Sequence, residues 1–158
     1  MKQIPLTQGK HAIVDDDDFE EIGKFKWTIQ RDGRHSYAYR RDYSGGTGVK
    51  VFLHRTIMKT PAGMCVDHID GDGLNNQKTN MRNCENRQNV RNQIPRENCT
   101  SIYKGVCWHK QMCQWAASIN PNRTKKHLGL FNSEEAAARA YNAAAIRYFG
   151  EFARLNAV

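Results

Sequence analysis

At 158 residues the chain has room for one domain or two small ones, and no apolar run approaches the length needed to span a membrane. With 24 Lys and Arg against 16 Asp and Glu, the net charge is +8 and the pI near 9.4, which favours a polyanionic partner. The five cysteines are odd in number and lack two-residue spacing, which argues against a disulfide framework or a structural zinc site.

The opening residues Met1–Pro5 lack the apolar core of a signal peptide, so a soluble protein in the cytoplasm of a bacterium or phage-infected host cell is expected. The charge is uneven: residues 99–158 hold 8 basic and 3 acidic side chains, whereas residues 61–98 hold 5 of each. A cationic gripping module joined to a carboxylate-bearing chemical centre has this distribution. Solvated lysines give the same numbers, so charge alone does not separate the two readings.

In chain order, the aspartates Asp15–Asp18 lead into Phe19, Ile22 and Phe25, the spacing of a short helix with an acidic start. Strand-like segments follow at 26–30, 37–41 and 49–54, separated by turn signals at 31–34 and 44–48. Residues 63–69 read as a short strand, 70–79 as a polar loop, 80–84 as a second strand and 85–92 as a polar helix, with a linker at 93–99. Three more strands are expected at 103–109, 113–119 and 125–131. In the middle one, alternation puts Trp115, Ala117 and Ile119 on one face, marking Trp115 as core. A helix then runs from an N-cap at Asn132 to a stop at Gly150, with a small-residue stripe of Ala137, Ala140, Tyr141, Ala144 and Tyr148.

The chemistry concentrates at residues 66–76. Asp67 and His68 end a strand, a Gly/Asp/Asn loop follows, and Asn80 and Asn89 come at intervals of twelve and nine residues. His68 titrates near neutral pH and suits a general base. On an extended strand Asp67 points away from it and is available for another task. A carboxylate together with the amide oxygen of Asn89 offers oxygen ligands to a hard divalent ion. Asn80 is placed to hydrogen-bond the imidazole and fix its orientation. Asn75, Asn76 and Asn92 read as loop or surface residues, while His54 and Arg55 suit either a phosphate contact or a structural role. Such a set fits phosphodiester hydrolysis.

Asp67-His68-Ile69-Asp70-Gly71, Leu74-Asn75-Asn76, Asn80-Met81-Arg82, Glu85-Asn86 and the upstream Leu53-His54-Arg55 together resemble the HNH endonucleases of the ββα-metal (His-Me finger) fold, above all the phage and homing type. Over a core of about residues 50–93, the resemblance implies His68 as general base and Asn80 as its orienting residue. It also implies Asp67 and Asn89 as metal ligands, and 5′-phosphate and 3′-hydroxyl products. Asn89 stands where the family name has a final histidine, which favours Mg2+, or Mn2+.

Residues 101–156 resemble the plant ethylene-responsive-factor (apetala-two) DNA-binding domain. The resemblance is carried by Tyr103-Lys104-Gly105-Val106, Trp115-Ala116-Ala117-Ser118-Ile119, Leu128-Gly129-Leu130-Phe131 and Glu135-Ala136-Ala137-Ala138-Arg139-Ala140-Tyr141. It implies a three-stranded antiparallel sheet packed on one helix, with Lys104, His109, Ser118, Asn120, Lys125 and His127 facing the DNA groove. Positions that hold arginine or tryptophan in plant members are Cys107, His109 or His127 here, so the plant base preference does not carry over.

The expectation is therefore an α+β chain. Residues 1–98 hold N-terminal strands and the nuclease core, with Arg55 on DNA; residues 99–158 hold the DNA-binding module. The partner is double-stranded DNA, with no small-molecule substrate, and the state a monomer or weak dimer, since one site cuts one strand. The rival reading is a sequence-specific DNA-binding regulator with an inactive nuclease core.

Overall fold

The first two strands, β1 (Lys2–Pro5) and β2 (His11–Val14), pair antiparallel with Lys2 opposite Val14. They drive Ile4, Ala12 and Val14 into the core. Helix α1 (Asp16–Ile22) follows, and the acidic run does more than favour its dipole. Asp15 makes no side-chain cap bond; its carboxylate accepts from the Lys78 backbone N–H at 2.8 Å and from Gln77 Nε2 at 3.2 Å. Lys78 Nζ reaches Asp18 at 2.7 Å, so two aspartates tie α1 to a chain segment sixty residues away.

Strands β3 (Thr28–Asp32), β4 (His35–Asp42) and β5 (Val49–Phe52) form an antiparallel sheet in that order. The third expected strand ends early, and α2 (Leu53–Ile57) begins at its last residues. Leu53 and Ile57, about one helical turn apart, are both buried on one face of α2.

Next come β6 (Cys65–His68), the two-residue β7 (Asn75–Asn76), β8 (Met81–Cys84) and α3 (Asn86–Asn92). β6 and β8 pair antiparallel, with Asp67 opposite Arg82 and His68 opposite Met81. β7, inside the expected loop, pairs parallel to β2. Ile4, Val14, Ile22, Trp27, Leu53 and Met81 belong to one core cluster beneath these elements. Each large apolar side chain buried there contributes about 1.5–3 kcal/mol.

Further along lie β9 (Val106–His109), β10 (Gln114–Ile119), β11 (Lys126–Phe131) and α4 (Glu134–Phe149). The sheet is antiparallel in the order β11-β10-β9. Ala117 and Ile119 are buried under α4, whose buried residues are Ala137, Ala138, Tyr141, Ala145 and Phe149. The stripe is thus rotated slightly from the expected one, with Ala140, Ala144 and Tyr148 at its margins. The cap is Ser133, whose Oγ accepts from the Ala136 N–H at 3.1 Å, rather than Asn132. Gly105, at φ +77°, lies under the Tyr141 ring, where an added Cβ would be 2.0 Å from a ring carbon.

The computed structural model describes residues 1–94 and 100–158 of this α+β chain, so residues 95–99 of the expected linker, Cys99 among them, lie outside the described residues. It divides into two compact units, Met1–Asn89 and Val90–Val158, where the sequence suggested a boundary at 98/99. No helix among the described residues is long and apolar enough to cross a membrane.

Candidate active site

His68 is the last residue of β6, buried to 6% exposure, and the loop after it is held by its own polar side chains. The Ile69 N–H donates to Asn80 O at 2.8 Å, which continues the β6–β8 ladder by one step. Asp70 accepts from the Asp72 N–H at 2.8 Å, from Asn75 Nδ2 at 2.8 Å and from Asn80 Nδ2 at 2.9 Å. Asn80 Nδ2 also donates to Asn75 O, and its Oδ1 accepts from the Asp70 N–H. Asn80 therefore braces the loop. At Gly73 the loop presses on β4, and an added Cβ would lie 2.4 Å from Ser36 O and 2.5 Å from the Tyr37 ring.

The amide that meets the imidazole is Asn76. It is fully buried, donates through Nδ2 to Leu74 O at 3.0 Å, and presents Oδ1 to His68 Nε2 at 3.4 Å. An acceptor at Nε2 puts the proton there and leaves Nδ1 as the basic nitrogen of the neutral ring. Burial lowers the His68 pKa, opposed by the Asn76 bond and by the charges of Asp70, Asp67 and Asp72, so the ring is neutral at pH 7. Its borders are aromatic: His54 lies edge-on at 5.4 Å between centroids, and Tyr37 at 6.1 Å.

His54 is itself stacked on Phe52 at 5.3 Å. Burial first, then the charges of His68 and Arg55, lower its pKa to about 3, and its Nδ1 has no hydrogen-bond partner among the described residues. A histidine neutral when folded but titrating near 6.5 when unfolded makes the unfolded state bind more protons below pH 6.5. Stability is then full above pH 6.5 and falls as pH drops towards 3, by on the order of 1 kcal/mol per pH unit from this group. Urea midpoints of the wild type and His54→Phe at pH 7 and pH 4.5 check this; the variant is expected to lose distinctly less stability on acidification, and parallel losses would contradict it.

On the opposite face of β6, Asp67 is 2% exposed. Its Oδ2 accepts from Arg82 Nε at 2.9 Å and from Nη2 at 2.7 Å, across the hairpin register. Cys84 shares that face. Burial, then the charges of Asp67 and Cys65, push its thiol up to about 11, while the Asn89 backbone N–H hydrogen-bonded to it opposes the rise. Asn89 thus reaches the Cys84 sulfur through its main-chain N–H, while Asp67 acts on the same thiol through its charge. Among the described residues, no group of three or more His, Cys, Asp and Glu is gathered to hold a metal.

Arg55 donates to Met64 O at 2.8 Å and Pro61 O at 3.3 Å, closing the turn after α2. In the second unit, register puts His109 opposite Gln114 and Ser118 opposite His127, all on the sheet face away from α4. Asn120 and Lys125 are exposed at strand ends. Lys104 is set apart, because its Nζ donates to the backbone carbonyls of Arg91 and Gln93. Trp115 packs on the core and meets Trp108 edge-on at 5.1 Å.

Sequence reasoning did not single out Asn76, Tyr37 or Arg82 for this site. Arg82 was detectable as the residue that a hairpin register centred on the 69–80 loop brings opposite Asp67.

An uncharacterized HNH endonuclease of Acanthamoeba polyphaga mimivirus is 32% identical to this chain over 157 residues, covering 96% of the chain and 77% of the relative. The chain belongs to the HNH endonuclease family. This family member also matches part of much longer plant proteins. An AP2-like ethylene-responsive transcription factor of Arabidopsis thaliana is 34% identical over 90 residues, 48% of the chain and 20% of that protein. An AP2/ERF and B3 domain-containing protein of Oryza sativa subsp. japonica is 46% identical over 57 residues, 36% of the chain and 15% of that protein. No family model matches the chain, and no solved structure matches it.

Proposed function

We propose that the protein is a metal-dependent DNA endonuclease of homing or phage type, in which the strand–loop–strand–helix of β6, β8 and α3 serves as a ββα-metal core. The observation that carries this reading is a buried imidazole at the end of β6, held at Nε2 by the buried Asn76 and adjacent in sequence to the buried Asp67 carboxylate. His68 takes the proton of the attacking water at Nδ1, while Asn76 holds the ring through Nε2. Asn80 acts one step back, keeping the Asp70 loop in place.

The donors suit a hard cation: a carboxylate and an amide offer oxygen, whereas the thiol of Cys84 is a soft donor that such an ion does not favour. Asp67 and Asn89 would hold Mg2+, or Mn2+. When bound, such an ion supplies Lewis acidity at the phosphate and stabilises the departing 3′ oxygen, giving 5′-phosphate and 3′-hydroxyl ends. The sheet β9–β10–β11, with His109, Ser118 and His127 on its outer face and Asn120 and Lys125 at its rim, fits the roughly 12 Å wide major groove. It supplies affinity for double-stranded DNA. As a monomer with one site, the protein nicks a single strand.

The test is a Mn2+ titration followed by electron paramagnetic resonance. Wild type binds the ion, whereas Asp67→Asn and Asn89→Ala each weaken binding by about 10-fold or more, as loss of a ligand to a metal requires. Equal affinity in all three proteins would remove these residues from the cradle.

A further inference from the structure

The sheet β3–β4–β5 has a surface outside the chemistry described so far. Alternation along β4 places Tyr37, Tyr39 and Arg41 on one face, with the buried Ala38 on the other. The register adds Phe52 opposite Tyr39 and Lys50 opposite Arg41. Because Tyr37 borders the His68 ring, this row starts at the imidazole and ends at Arg41, roughly 13 Å along the strand.

At its far end the row opens into a cleft of about 390 Å3 whose walls include Phe25, Lys26, Tyr39, Arg40, Arg41 and Tyr43, three cations and three aromatic rings with no carboxylate among the lining residues. The Arg40 guanidinium lies 4.3 Å from the Phe25 ring centre and donates one bond to Asp42, while its Nε is buried with no hydrogen-bond partner among the described residues. Tyr43 is 65% exposed and rests against Gly48, where an added Cβ would be 2.6 Å from the ring. The Gly48 backbone thus lies beside the ring, and most of the residue is open to solvent.

Cations beside open aromatic faces are the recurring means of holding single strands. The charges track phosphates, and the rings stack bases that a duplex would keep paired. A concave cleft suits one extruded or unpaired base better than it suits the rim of a groove. We propose that this cleft holds an unpaired nucleotide of the substrate strand, with its phosphate on Lys26 and Arg41 and its base on Tyr43, a short way along from the phosphate at His68. The placement relative to a cut phosphate rests on the nuclease reading; the binding itself does not.

The experiment is fluorescence anisotropy on the full chain carrying His68→Ala, in chelator so that no strand is cut. A blunt duplex is compared with the same duplex bearing a single-stranded tail. The tailed duplex is expected to bind more tightly. Adding Tyr43→Ala or Arg41→Ala is expected to weaken the tailed complex by about 5- to 100-fold with the blunt complex unchanged. Tyr43→Trp retains the preference, and Lys110→Ala on the other unit has no effect. Equal binding of both duplexes, or variants that weaken both alike, overturns the proposal. Absence of cleavage by the wild type would overturn the nuclease reading and leave this one standing.

Discussion

His68→Ala is expected to lower DNA cleavage at neutral pH by about 10²–10⁴-fold while leaving affinity for duplex DNA unchanged. Burial lowers the pKa of this ring, so it is already a base at pH 7, and the Asn76 oxygen at Nε2 presents Nδ1 as the proton-accepting nitrogen. Alanine removes the proton acceptor but leaves the Asp67 and Asn89 donors and the whole of the second unit in place. Initial nicking rates of a supercoiled plasmid, with binding measured in parallel, separate the two quantities. A variant that cuts at the parental rate would show that another group activates the water.

Arg82→Ala is expected to destabilise the protein by about 3–5 kcal/mol, the range found when one partner of a buried ion pair is removed. The two Arg82 nitrogens both lie on Asp67 Oδ2, and the two side chains are 16% and 3% exposed, so alanine would leave a desolvated carboxylate uncompensated. The double variant Asp67→Leu/Arg82→Met should recover most of that stability, because an apolar pair of similar volume replaces both charges. It should not regain Mn2+ binding. Urea denaturation with hydrogen exchange read at the β6 and β8 amides gives the stability change. A loss below about 1 kcal/mol would mean that the pair is solvated and contributes as an exposed salt bridge does.

Much of the frame was legible because its signals are local. The apolar end of β6, the Gly/Asp/Asn loop and the polar helix α3 each follow from residue type within a few positions. The same holds for the three strands and the long helix of the second unit, where alternation and a small-residue stripe repeat often enough to be read. Three features were hidden. Strands β1 and β2 have four residues each and mixed burial, too short for periodicity to register. Helix α2 starts inside an apolar run that also suits a strand.

The third hidden feature matters most for the site. The sequence and its family resemblance assign the orienting of the imidazole to Asn80 and read Asn76 as a loop or surface residue. The parallel pairing of Asn75–Asn76 with Ile13–Val14, more than sixty residues away, buries Asn76 and turns it to His68. No local pattern encodes such a contact. The Arg82–Asp67 pair is similar, since it depends on the β6–β8 register.

The most direct measurement of the central claim is incubation of supercoiled plasmid with the purified full chain in Mg2+ and, separately, in chelator. Nicked circles are expected in Mg2+ alone, with ends that DNA ligase reseals because they carry 5′-phosphate and 3′-hydroxyl groups. Plasmid that is bound yet stays supercoiled in Mg2+ and in Mn2+ would contradict it, leaving a protein that holds DNA without cutting it.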